Sequence, residues 1–74
     1  MGTQRTRRQK IEWIKSSLDH LFKNGADFVV LDVFIANFAY ANDSTERTCM
    51  DILKLLVKVG EIKIAGNEIY KENE

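Results

Sequence analysis

The run Ser44-Thr45-Glu46-Arg47-Thr48-Cys49-Met50-Asp51-Ile52-Leu53-Lys54-Leu55-Leu56-Val57-Lys58-Val59-Gly60 sorts its side chains onto two faces. At the helical step of about 100° per residue, Cys49, Ile52, Leu53, Leu56 and Val59 cluster on one side. Arg47, Asp51, Lys54 and Lys58 fall opposite them, in a stripe about 60° wide. The spacing predicts a helix over about 44–59. Asp43 paired with Glu46, or Ser44 accepting from the next free amides, would cap its start, and Gly60 would stop it.

Downstream, Glu61-Ile62-Lys63-Ile64-Ala65 and Glu68-Ile69-Tyr70-Lys71 alternate apolar with polar around Gly66-Asn67, which predicts a β-hairpin. Upstream, Ala41-Asn42-Asp43-Ser44 reads as a tight turn. Before it, Val33 to Ala41 carries Phe34, Ile35, Phe38, Ala39 and Tyr40, a helix apolar nearly all round and therefore expected to be buried on several sides. Asp32 is placed to cap that helix. Asp27 to Leu31 predicts a brief strand, which would join the hairpin because two strands alone are marginal in water. A first helix is expected from Thr6 to Lys23, with Ile11, Ile14, Leu18, Leu21 and Phe22 on one face and Gly25 as the stop.

Read in that order, roughly residues 8–72 resemble the winged helix-turn-helix DNA-binding domain family. Ser44 to Thr48, then Leu53, Leu56, Gly60, Glu61 and Ile62, then Gly66-Asn67 and Ile69-Tyr70 carry the resemblance. They look like the family's recognition helix, its exit and its wing. The fold class expected is α+β: three helices with a short strand and a C-terminal β-hairpin wing, preceded by a basic arm over residues 1–7. The resemblance implies a small DNA-binding protein and transcriptional regulator whose partner is double-stranded DNA. Its third helix would lie in the major groove, with arm and wing on the backbone.

On that reading Arg47 is the candidate for guanine, because its fork matches O6 and N7 bidentately. Thr45 and Thr48 would bond phosphate or touch a thymine methyl, Ser44 and the helix amides would meet a phosphate oxygen, and Lys54 and Lys58 would neutralise phosphates further along. Asp51 is discordant among these cations. It would accept from cytosine N4 or, more economically, pair with Arg47 one turn away. Lys63 and Asn67, with Lys71, are the polar members of the wing. Arg5, Arg7, Arg8 and Lys10 form the basic arm. The competing reading is that the stripe is merely the solvated face of an amphipathic helix. A second is a protein-interaction module of the same fold, in which the third helix or Trp13 docks another protein.

Trp13 projects with Ser17 and His20 away from the Ile11–Leu18–Phe22 face of the first helix. An outward tryptophan points to a partner surface, and the resemblance implies a homodimer through this helix. The alternative is that Trp13 lies against its own hairpin or tail.

Composition narrows the remaining classes. The chain has 74 residues, enough for one domain, with 45% hydrophobic and 30% charged residues, no proline and four glycines. Its one cysteine excludes an internal disulfide framework or a cysteine zinc site, and its one histidine offers no metal cluster. No nucleophile-base-acid order or phosphate loop is present, so no enzyme activity, cofactor, metal or small-molecule ligand is expected. No apolar run approaches the roughly 18 residues of a membrane span. With no signal peptide at the start, the expectation is a cytoplasmic protein, nucleoid-associated, or nuclear where there is a nucleus. Met1-Gly2-Thr3-Gln4-Arg5-Thr6 fits the short myristoylation pattern, a match easily met by chance. Net charge is zero but unevenly spread: Arg5, Arg7, Arg8 and Lys10 give the first ten residues +4, and the remainder carries −4.

Overall fold

Thr6 starts α1 (Arg7–Lys23) through a reciprocal pair of bonds. Its Oγ1 accepts from the Gln9 amide at 3.2 Å, while the Thr6 amide donates to Gln9 Oε1 at 3.0 Å. This capping box satisfies two amides that the helix itself leaves free. The structure, a computed structural model, describes residues 6–72. Arg5, one of the arm residues, lies outside the described residues. Arg7, Arg8 and Lys10 lie within α1, inside the span expected for the first helix. Gly25, at φ +98°, turns the chain out of α1.

The strand expected over 27–31 is reduced to β1 (Val29–Val30), which runs directly into α2 (Leu31–Asn42). That junction overturns the cap expected at Asp32. The helix begins two residues earlier, at Leu31 in place of Val33, and its N-cap, Val30, makes no side-chain capping bond. The acceptor comes from elsewhere: the Leu31 amide donates to the Asn67 carbonyl at 2.8 Å. A backbone group from the hairpin therefore does what a capping side chain would otherwise do.

Helix α2 is also not buried on all sides. Phe34 and Phe38 point inward, but Val33 is 57% exposed and Tyr40 92%. At its end Asn42 is buried, its Nδ2 donating to the Phe38 carbonyl at 3.0 Å while Oδ1 has no hydrogen-bond partner. Asp43 takes a left-handed conformation, φ 51° and ψ 50°, which bends the chain sharply into α3 (Glu46–Lys58). Asp tolerates that region better than most residues with a Cβ. The cap of α3 is Thr45, one residue later than Ser44, with its Oγ1 accepting from the Thr48 amide at 3.2 Å. Val59, assigned to the core face by spacing, is the C-cap and is exposed, because the helix ends before that position turns inward.

Strands β2 (Ile62–Ala65) and β3 (Glu68–Lys71) form the hairpin around Gly66-Asn67, with Gly66 at φ +61°. All pairing is antiparallel, in the order β1-β3-β2, with Val29 opposite Ile69 and Ile64 opposite Ile69 on the other side. The core joins Ile14 and Leu18 of α1, Phe34 and Phe38 of α2, Cys49, Ile52, Leu53 and Leu56 of α3, and Ile62 and Ile69 of the sheet. Burying each of the larger members contributes about 1.5–3 kcal/mol. Three helices and a three-stranded antiparallel sheet ending in a hairpin make an α+β layout consistent with the winged helix. No described helix is long and apolar enough to cross a membrane.

Candidate nucleic-acid interface

The outer face of α3 carries the candidate site because its inner face is fully committed. Cys49, Ile52 and Leu53 have no exposed surface, and Leu56 is 4% exposed, which fixes the rotation of the helix. Arg47, Asp51, Lys54 and Lys58 are then all exposed on the opposite side. Three cations share one helical stripe with one carboxylate. The Arg47–Asp51 pair expected from their spacing does not form: among the described residues the ion pairs within 4.0 Å are Lys15–Glu61 and Lys23–Asp19. Both ends of the expected pair face water and remain open to a partner.

Thr45 and Thr48 hydrogen-bond to each other through their hydroxyls at 3.0 Å, on top of the capping bond. Their first task is structural. They hold the start of α3 at the correct angle, and Thr45 is exposed while Thr48 and Ser44 are half-buried.

The hairpin divides its lysines between two faces. Lys63 lies opposite Tyr70 and Lys71 opposite Ile62, so the pleat sends them to opposite sides of the sheet. Lys63 stays on the exterior with Tyr70. Its neighbour Phe28 has its ring centre 5.9 Å from that of Tyr70. The Tyr70 hydroxyl donates to Glu68, and that bond, followed by partial burial and the Glu68 charge, raises the phenol's pKa. Lys71 lines a cleft of about 320 Å³ between α1 and the β2 side of the sheet, with Leu18, Phe22, Leu56 and Ile62 around it. The Lys15–Glu61 pair, 3.8 Å long, sits at the same cleft. Asn67 is at the hairpin tip, but its carbonyl is held by Leu31. The tip is docked on the body, so the wing does not project freely.

Arg7 and Arg8 are exposed and Lys10 is half-buried, all in or beside the first turn of α1, which contains no acid. Cations there face the positive end of the helix dipole, an arrangement that costs about 0.3–1 kcal/mol each at most. The local charge therefore works against the helix's own stability.

Trp13 requires a correction. Its ring lies 5.8 Å from Phe34 and 5.7 Å from Phe38, the second contact edge-on at 75°. It packs on its own α2, not outward and not on the hairpin. Helix α1 is thus covered by α2 along the Trp13 side, which the sequence pattern did not mark. Ser17 is half-buried, and His20 is exposed with its Nε2 3.0 Å from Asn24 Nδ2. Trp13 and Ser17, both half-buried, line one shallow surface groove with Arg8, Gln9, Glu12 and Ser16, and His20 is exposed further along the same side of α1.

Cys49 is walled in on the inner face of α3, and burial, followed by the Glu46 charge, pushes its thiol up to about 12. Among the described residues no cluster of three or more histidine, cysteine or acidic side chains is placed to hold a metal. The sequence reading missed the exposed apolar positions of α2. Val33 and Tyr40 had looked like core because the whole helix is apolar. Searches against family models, curated proteins and solved structures returned no match to this chain.

Proposed function

We propose that this chain is a winged helix DNA-binding protein, a regulator of transcription, that places α3 in the major groove of duplex DNA. The observation that carries the reading is the unpaired, exposed stripe of Arg47, Lys54 and Lys58 on a helix whose opposite face is completely buried. A helix held so firmly presents the same side chains in the same geometry to every partner, as base readout requires. The tight Asp43–Thr45 turn and the acid-free first turn of α1 add support. Arg47 is assigned to guanine, Lys54 and Lys58 to phosphates, and Arg7 and Arg8 to the flanking backbone. Asp51, free of Arg47, is assigned to cytosine N4. Lys63 is the hairpin residue best placed to add a phosphate contact.

Binding to mixed-sequence duplex, titrated with salt, tests the proposal. Four to six neutralised phosphates give a slope of log affinity on log salt of about −4 to −5. Lys54→Ala should lower that slope by about one and weaken all sequences alike, while Arg47→Ala should cost about 1–3 kcal/mol and relax preference at one base pair. Absence of binding at about 50 mM salt and tens of micromolar protein would overturn it. The lone carboxylate in the stripe favours the other reading, a protein-interaction module of the same layout, and that outcome would select it.

A further inference from the structure

The sheet carries one cation on the side it turns to the core. Ile62 and Ile69 face inward, and Lys71 follows Ile69 by two residues and stands directly opposite Ile62, so the pleat puts it on that same side. Strict alternation calls for an apolar residue there. Lys71 remains exposed because a cleft separates the sheet from α1 at this point. The cleft, about 320 Å³, lies at the small end of the roughly 300–1,000 Å³ typical of ligand sites. We propose that it binds a small apolar carboxylic acid, with the hydrocarbon body on the cleft floor and the carboxylate on the Lys71 ammonium.

The floor and the mouth select different parts of such a ligand. Leu18, Leu56 and Ile62 line the cleft yet are nearly fully buried, and Phe22 beside them is half-buried. They form an apolar floor held in place by the core, and a hydrocarbon chain would take its remaining surface out of water. Charge at the mouth sets the headgroup. Both acids of the cleft are already committed, Glu61 to Lys15 at 3.8 Å and Asp19 to Lys23 at 3.3 Å. Lys71 has no ion pair among the described residues. One unmatched positive charge beside an apolar floor fits a monoanion with an apolar body.

Other headgroups fit worse. A cationic amphiphile would meet Lys71 and Lys15 together, and a doubly charged phosphate would be set against Asp19 and Glu61. A single charge contact and so small a floor give octanoate a Kd on the order of a millimolar.

Titration of octanoate into isotope-labelled protein, followed by methyl NMR with no DNA present, tests the inference independently of DNA binding. The methyl signals of Leu18, Leu56 and Ile62 should shift together and saturate. Octylamine, with the same chain and the opposite charge, should bind about tenfold more weakly. Lys71→Gln alters an exposed side chain and should keep native circular dichroism while weakening octanoate about fivefold, the measure of one half-open charge pair. Lys71→Glu should reverse the preference towards octylamine, and Arg47→Ala should change nothing. No shift at these three residues by about 10 mM octanoate, equal binding of the acid and the amine, or a preference that survives Lys71→Gln would overturn the proposal.

Discussion

Helices α2 and α3 are nearly the same length, 12 and 13 residues, and stand either side of one tight turn, yet they are built on different principles. In α3 the apolar and charged residues occupy opposite faces, so burial of Cys49, Ile52, Leu53 and Leu56 dictates where Arg47 and Lys54 point. In α2 almost every residue is apolar, so hydrophobicity alone cannot say which way it turns. Phe34 and Phe38 win the inward positions because they fill the space against Trp13, and Val33 and Tyr40 are left outside. The caps differ in the same sense. Helix α3 carries its own cap, Thr45, whereas α2 borrows the Asn67 carbonyl from the hairpin. One helix is locally specified and the other is defined by its surroundings.

The largest effect that separates the two regions is kinetic. With its thiol pushed up to about 12 from an ordinary value of 9.0, Cys49 should form thiolate about a thousandfold less at pH 8 than an unperturbed cysteine. Alkylation of the folded protein should be slower by at least that factor and should become fast only in denaturant. Rapid labelling of native protein would show that the inner face of α3 opens more readily than its packing implies. The sign for stability follows: the folded state holds this proton more tightly, so its contribution is whole below about pH 9 and is lost as pH rises towards 12.

Next in size is the difference between inward and outward aromatics of α2. Phe38→Ala, at a position with no exposure, should cost about 3–5 kcal/mol in urea unfolding. Tyr40→Ala, at a position 92% exposed, should stay within about 0.5 kcal/mol of the parent. Similar losses at both sites would mean that the outer face of α2 is packed as tightly as the inner one.

The smallest contrast concerns the caps. Thr45→Ala removes an acceptor that α3 uses and should cost about 1 kcal/mol. Asp32→Ala removes only a favourable charge in the first turn of α2, worth about 0.5 kcal/mol at low salt and less in high salt. A loss at Asp32 equal to that at Thr45 would mean that its carboxylate caps the helix after all.

These contrasts also explain what could be read in advance. Period and turn chemistry located α3, Gly60 and the Gly66-Asn67 hairpin, because each is decided within a few residues. The cap shifted from Ser44 to Thr45 because Asp43 is consumed by the left-handed bend, and the Ser44 amide closes the end of α2 on Ala39 at 3.1 Å. Nothing in the spacing of α1 marks Trp13 as internal, since its second buried side exists only once Phe34 and Phe38 are present. The missing Asp32 cap has the same origin, a contact with a residue more than thirty positions away. At the candidate site, the Arg47 stripe was legible because the core face of α3 is unambiguous. The unmade Arg47–Asp51 bond was not, because spacing permits such a pair without requiring it.

The order of the strands carries a consequence for biosynthesis. β3 lies in the middle of the sheet and pairs on both sides, yet it follows every other element in the chain. A nascent polypeptide that has emerged only as far as Gly60 possesses all three helices but neither Ile62 nor Ile69, and the start of α2 still lacks its carbonyl from Asn67. The helices must wait, with their apolar faces open, for about a dozen further residues before the molecule can close. Assembly is thereby governed from the C-terminal side of this fold, and chaperone occupancy on the emerging chain should fall when Ile69 and its strand become free to pair.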